Sequence, residues 1–167
     1  MAKGQPSPET AHAHHHHRHG PLEAGALIAH AERVCGEKGL QFTPLRRRVF
    51  EALAASEAPL GAYDLVEQLG RERRISPISV YRTLEFLMDA GLIHRIAMRN
   101  AYLPCAHEHG AGETTVFLVC TLCGNVDELA SSVIARDLAG TAAQVGFRPV
   151  SRAVELEGEC QSCREGA

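Results

Sequence analysis

Apolar positions recur with helical spacing through the first half of the chain and with strand alternation through much of the second. From 22 to 38 an Ala-rich segment, with Leu22, Ala26, Leu27 and Val34 in register, reads as a helix ending at Gly36 and Gly39. Cys35 lies on it and is expected to be a small core residue. Thr43-Pro44 opens a second helix, a hydroxyl cap followed by proline at the first helical position, where no N–H is missed. Leu45, Val49, Phe50 and Leu53 form its apolar stripe, and Pro59 closes the segment. A short helix over 62–69 turns Leu65, Val66 and Leu69 inward. Ser76-Pro77 repeats the cap-and-proline device for a helix running to Ala90 and stopped by Gly91. Val80, Leu84 and Leu87 face the core, while Ser79, Tyr81 and Arg82 stand near the N-terminal end on another face. Two short helices joined by a small turn, the second with exposed Tyr and Arg at its start, suit helix-turn-helix recognition. Residues 92–97 and 101–103 then read as two strands around the Arg99-Asn100 turn, the hairpin of a winged helix. A plain helical bundle with a solvated charged face is the competing reading.

The second half changes character. Residues 115–119 are a β-branched and aromatic strand, and 126–129 continue it after a turn. Ser131 or Ser132 can cap a helix with Ile134, Leu138 and Val145 inward, stopped by Gly146. Val150, Arg152, Val154 and Leu156 then alternate with Ser151, Ala153 and Glu155 as a last strand. The expected fold class is therefore α+β. A winged helix-turn-helix domain over 22–103, with a hinge at about 99–106, precedes a small α/β domain over 104–167. Residues 1–21 fit neither pattern: Pro, Gly, Ser and a histidine run (His12, His14 to His17, His19) make a low-complexity tail expected to be disordered. The remnant of an expression tag is the plain reading of it, and a native tail that holds zinc loosely the functional alternative.

Cysteine placement adds chemistry to this frame. Cys120 and Cys123 form a Cys-x-x-Cys, and Cys160 and Cys163 repeat the spacing after 36 intervening residues. Two thiolates three residues apart on a tight turn can take two corners of a tetrahedron around zinc, and a second pair supplies the others. The helix expected over 132–145 fills the long gap between them. Two disulfides and a thioredoxin-like redox pair are the competing readings; a redox site needs one reactive pair, not two matched ones. With 45% apolar and 22% charged residues the chain is globular, and no apolar run approaches the length of a membrane span. No secretory-type apolar core follows the first methionine, so a reducing cytoplasm is expected, where six cysteines argue for metal. The net charge of −3 hides an asymmetry: residues 41–99 hold nine Arg against seven acids, and residues 100–167 hold four Arg against nine.

Taken together, these segments resemble the ferric-uptake-regulator family and, within it, the zinc uptake regulators. The likeness runs from about Val34 to Cys163. It rests on Leu-Gln-Phe-Thr-Pro-Leu-Arg (40–46), Ala-Tyr-Asp-Leu (62–65), Ser-Val-Tyr-Arg-Thr-Leu-Glu-Phe-Leu (79–87), Gly-Leu-Ile-His (91–94), Asn-Ala-Tyr-Leu-Pro-Cys (100–105), Cys-Thr-Leu-Cys-Gly (120–124) and Cys-Gln-Ser-Cys (160–163). The resemblance implies a homodimer whose C-terminal domain dimerises and whose metal-loaded form binds an A·T-rich, imperfect palindrome in double-stranded DNA. Zinc would be the corepressor of uptake genes, two ions per subunit, with no membrane and no other small-molecule substrate involved. It also implies base contacts from Tyr63 and Arg82, and DNA contact from Tyr81. Arg46, Arg47 and Arg48, with the Arg71–Arg74 cluster, can neutralise phosphates.

A regulatory site carries over residue by residue: His94 in the first wing strand, Cys105 in the hinge and Glu128 beyond the first thiol pair. The family's remaining histidine aligns with Glu113, a departure that His107 or His109 could offset. One thiolate, one imidazole and carboxylates suit zinc better than manganese or iron. An iron, manganese or peroxide sensor of the same fold is the alternative within the class. A dithiol oxidoreductase on Cys120 and Cys123, or a Cys105–His94 nucleophile pair, is the alternative outside it. Neither is favoured as an enzyme: no helix N-terminus activates Cys120, and the pair lacks an oxyanion site and an orienting group.

Overall fold

The computed structural model describes residues 21–71, 74–105, 112–149 and 153–165, with the side chains of 21–23 left aside. The histidine run, Arg73, His107, His109 and residues 150–152, named in the expectations above, lie outside the described residues.

In the first half, α1 (Pro21–Glu37), α2 (Pro44–Ala54), α3 (Ala62–Gly70) and α4 (Pro77–Asp89) pack around one core. Most of the local sequence signals act as expected, although Ser76, at the N-cap position of α4 before Pro77, makes no side-chain cap bond among the described residues. Thr43 caps α2 by accepting from the Arg46 N–H, and Pro44 sits at the first turn. At the end of α4, Gly91 takes φ +75°, while its N–H donates to Met88 and that of Leu92 to Leu87. This left-handed closure satisfies carbonyls that a helix end leaves open, and only glycine enters it without strain. The Lys38 ammonium covers the Ala90 carbonyl at 2.8 Å, tying the end of α1 to the end of α4. Val49, Phe50, Leu53, Leu65, Val80, Leu84 and Leu87 are all but fully buried. Cys35 is buried with them, and burial pushes its thiol pKa up, so it behaves as a core residue.

β1 (Leu60–Gly61), β2 (Ile93–Ile96) and β3 (Ala101–Pro104) form the wing as an antiparallel sheet in the order β1-β3-β2. The third strand, β1, is only two residues long and has no periodicity for a sequence pattern to show. A single 3₁₀ turn, Ala97–Arg99, joins β2 to β3, with Asn100 in the left-handed region at φ 48°. β3 occupies the middle of the expected hinge, and the ladder continues to Cys105, whose N–H donates to the Leu92 carbonyl.

The second half is a sheet of β4 (Thr114–Cys120), β5 (Val126–Ser131) and β6 (Ala153–Gly158) in the order β5-β4-β6, with α5 (Ser132–Gln144) crossing between β5 and β6. Ser131, the first of the two capping candidates, accepts from the Ile134 N–H. β6 runs parallel to β4 and therefore antiparallel to β5, which pairs antiparallel with β4 on its other edge. A five-residue helix, α6 (Gln161–Glu165), follows Cys160 and has no signal in the sequence pattern. Phe117 and Val119 of β4 bury against Ile96 and Leu103 of the wing, so the two halves share a small apolar cluster.

One sequence expectation changes sign here. Ile134 is half-buried, but Leu138 and Val145 are exposed, Val145 at 81%. The helical spacing is right, yet among the described residues nothing covers the side of α5 that bears them. Ala135 is instead the fully buried position of α5.

Leu84→Ala should destabilise the first half by about 2–5 kcal/mol, the cost of a large-to-small change at a filled core site. Leu122→Ala, at an exposed position, should stay within about 0.5 kcal/mol of the parent. Chemical denaturation followed by far-UV circular dichroism checks both.

Candidate metal centres and nucleic-acid face

Cys120 ends β4, Cys123 lies in the following turn, and Cys160 and Cys163 flank the start of α6. Because β4 and β6 are parallel, their C-terminal ends lie side by side and bring the two thiol pairs together. All four Sγ atoms lie within 4.8 Å of one another. Cys120 and Cys163 are 3.9 Å apart, and Cys123 and Cys160 3.8 Å. Ligands at about 2.3 Å from a tetrahedral zinc are separated by about 3.8 Å, whereas a disulfide needs about 2.05 Å. The spacing therefore fits one shared cation.

Backbone N–H groups at Cys123 and Cys160 point at the Cys120 sulfur and lower its pKa to about 6. The neighbouring thiols of Cys160, Cys123 and Cys120, with burial, push Cys163 up to about 12. One thiol ionises readily here, and the last holds its proton unless a cation replaces it. Gly124 closes the turn at φ +79°, a conformation that glycine adopts without strain.

The second centre spans the two halves. Ligand atoms of His94 on β2, Cys105 at the end of β3 and Glu128 on β5 lie within 4.8 Å of one another. His94 Nε2 is 3.5 Å from Glu128 Oε1, and its ring packs against Phe117 at 5.2 Å. Glu128 is only 7% exposed and Cys105 3%. A carboxylate and a thiol buried beside an imidazole form a mixed O, S, N donor set that fits zinc. Glu113, just before β4, is exposed and does not join this group.

On the winged-helix half, Tyr63 stands 76% exposed near the start of α3, and Tyr81 on α4 lies beside it. Burial first, then the Tyr63 phenol, raise the Tyr81 pKa, so Tyr81 presents a neutral hydroxyl at neutral pH. Arg82 is exposed and Ser79 half-buried on the same first turns of α4. The arginines of α2 are more occupied than their clustering suggests. Arg46 lies over the Phe86 ring, 3.3 Å from its centroid, and donates to the Gln41 carbonyl. Arg47 pairs with Glu32 and Glu51, and Arg48 donates to the Leu69 carbonyl. Two residues without a sequence signal, Arg99 and Glu155, join the halves through hydrogen bonds to backbone groups.

A winged helix joined to a small α/β domain with a four-cysteine zinc centre defines the class to which this fold belongs. A family model described as "Ferric uptake regulator family" matches residues 37–157. The chain is 30% identical over 140 residues to the zinc uptake regulation protein of Escherichia coli K12, covering 83% of this chain and 82% of that one. It is 29% identical over 130 residues to the zinc uptake regulation protein of Mycobacterium tuberculosis, covering 75% and 96%. Among solved structures, a zinc uptake regulator complexed with zinc and DNA superposes with a TM-score of 0.80 at 29% identity, covering 86% of this chain and 96% of that one. Holo XcZur gives 0.76 at 34% identity (84% and 98% covered), and apo XcZur 0.51 at 32% (84% and 97%). The chain belongs to the ferric uptake regulator family, and with it to the metal-responsive regulators of transcription rather than to the enzymes.

Cys123→Ser should leave the thiol cluster under-liganded and loosen both turns. Structural zinc contributes on the order of 10 kcal/mol to folding, comparable to the stability of a whole domain. The variant should lose metal and dimerisation together, as read by metal analysis and analytical ultracentrifugation; a zinc-replete Cys123→Ser dimer would contradict the four-cysteine site. In the parent, four thiols should resist a thiol reagent until a chelator is added.

Proposed function

We propose that this protein is a zinc-responsive transcriptional repressor. Its zinc-loaded homodimer, with two ions per subunit, binds an A·T-rich palindromic operator and represses zinc-uptake genes. The observation that carries this reading is the meeting of His94, Cys105 and Glu128, which come from the winged-helix half, the crossing point and the C-terminal sheet. Zinc held there would supply the positive charge and directional bonds that join the two halves in one orientation. Cys105 contributes the soft donor that favours zinc over manganese or iron. The likeness to a zinc- and DNA-bound regulator supports the assignment of this arrangement to the DNA-competent state.

Arg82 is the residue best placed for a bidentate contact to a guanine edge, with Tyr63, Tyr81 and Ser79 around it. Arg46 and Arg47 are assigned to the phosphates after it, because contact there competes with Phe86, Glu32 and Glu51. The dimer face is assigned to the side of the C-terminal sheet turned away from the wing. There Leu118, Leu129 and Leu156 line one open groove, and exposed Val133, Leu138 and Val145 add apolar surface on α5. A two-fold dimer then presents two copies of α4 to two half-sites. Metal and operator favour the same conformer, so each raises the other's affinity by the same factor.

Operator binding measured against buffered free zinc, beside iron and manganese, tests the whole reading. Cys105→Ser should keep the four-cysteine zinc and the dimer but lose the zinc response, and Glu113→Ala should weaken it less. A Cys105→Ser protein that responds like the parent places the sensor elsewhere. Arg82→Ala should cost about 1–3 kcal/mol on the specific operator and flatten the preference among sequences.

A further inference from the structure

Cross-strand register places Glu128, Phe117 and Glu155 in one row across the C-terminal sheet, because Phe117 pairs with Glu128 on one side and with Glu155 on the other. Paired residues share a face of the sheet. Phe117 packs against His94, so this face looks toward the wing. One carboxylate of the row joins the His94–Cys105 group. The other does separate work: Glu155 accepts the N–H of Ala97 at 2.7 Å and that of Met98 at 2.9 Å, one on each oxygen. These N–H groups open the 3₁₀ turn at the tip of the wing, and the carboxylate takes both. From the same turn, Arg99 donates to the Cys120 carbonyl at 2.7 Å. That carbonyl also accepts the Gly124 N–H and belongs to the four-thiol knuckle. A side chain on Gly124 would touch the Arg99 guanidinium, 3.6 Å from where its Cβ would stand.

We infer that Glu155 and Arg99 form a latch, independent of the His94–Cys105–Glu128 centre, that positions the winged-helix domain on the C-terminal domain for operator binding. The inference rests on the proposed function, since it concerns how the same DNA-competent orientation is held. Its chemistry is specific. The apolar cluster of Ile96, Leu103, Phe117 and Val119 attracts the two halves but gives little direction. Two charge-assisted bonds to Glu155 and one from Arg99 fix both the tip of the wing and its rotation about that cluster. Arg99 also makes the four-cysteine knuckle part of the DNA-competent geometry, because its acceptor is the backbone of a thiol ligand. Glu155 and Arg99 are positioning residues and are assigned no contact with DNA.

The latch is tested on the full-length, zinc-saturated dimer with Arg99→Ala, Arg99→Lys, Glu155→Ala and Glu155→Gln. Metal content and dimer mass come first; all four variants should match the parent. Without DNA, hydrogen exchange of the Ala97 and Met98 amides should be slow in the parent and faster in Glu155→Ala. Exchange should also quicken in Arg99→Ala, which removes no partner of those amides and acts only by releasing the wing. Operator affinity should fall about tenfold in both alanine variants, as when the competent arrangement drops to about a tenth of its population. The slope of affinity against salt should not change, and Arg99→Lys should recover part of the loss. An Arg99→Ala protein that binds more weakly with a shallower salt slope and unchanged amide exchange makes Arg99 a phosphate contact and overturns the latch. Unchanged exchange in both alanine variants overturns it as well. If Glu155→Ala loses its fold, the milder Glu155→Gln carries the same comparison. A parent that fails to bind the operator in response to zinc refutes the proposed function, while amide exchange still judges the latch.

Discussion

Four sulfur atoms gathered within 4.8 Å set the terms for the C-terminal half. Protonated, they crowd thiols that make only weak hydrogen bonds; fully ionised, they repel. The opposite shifts of Cys120 and Cys163 express that conflict, and a divalent cation resolves it by replacing protons with one shared charge. The topology prepares the meeting. β5 and α5 together return the chain so that β6 runs parallel to β4, and both strands deliver their thiol pairs to one edge. The 36 residues between the pairs are what that return requires, and a shorter ribbon would have forced an antiparallel hairpin. The knuckle thereby anchors β4, and β4 carries Phe117, around which the junction of the two halves is built.

That junction is small and mixed in character. Four buried apolar side chains contribute a few kcal/mol each at most, enough to bring the halves together but not to choose one angle between them. Direction comes from the polar groups on either side of Phe117. On one flank stand His94, Cys105 and Glu128, whose donor atoms lie close enough to share a metal ion. On the other stand Glu155 and Arg99, bonded to backbone groups that are always present. A conditional contact and a permanent one thus act on the same lever arm.

Much of this is legible in the sequence where the physics is local. Thr43-Pro44, Gly91, Ser131 and Gly146 mark helix ends through caps that depend on a few neighbouring residues, and the structure uses each of them. The repeated Cys-x-x-Cys is legible for the same reason, since two ligands three residues apart are a local device. Reading fails where the deciding partner is distant. β1 exists only because Tyr102 and Ala101 offer it an edge. Arg46 and Arg47 read as a basic patch until Phe86 of α4 and Glu32 of α1 arrive from other helices, beside Glu51 one turn along α2. Leu138 and Val145 follow helical spacing yet face outward, because among the described residues no other element covers them. In the sequence Glu155 is only one of the alternating positions of a strand, and the register opposite Phe117 shows what it reaches. Glu113 aligns with a family ligand, but its exposed position before β4 leaves it apart from the other three.

The proposed switch requires a metal-free form that is weak on DNA but not unfolded. If every contact between the halves depended on metal, its loss would free the wing altogether, and rebinding would carry the full entropy of reordering it. If none did, there would be no switch. Moving an arrangement from a population ratio of about 1:10 to about 10:1 takes roughly a hundredfold difference in affinity, about 2.7 kcal/mol, within reach of a single mixed-ligand site. The permanent bonds from Glu155 and Arg99, with the cluster around Phe117, then set where the equilibrium starts. The three donors on the other flank need only supply the difference. On the proposed function, such a division would place the set-point of the response in residues outside the three-donor group, so that the two could be tuned apart.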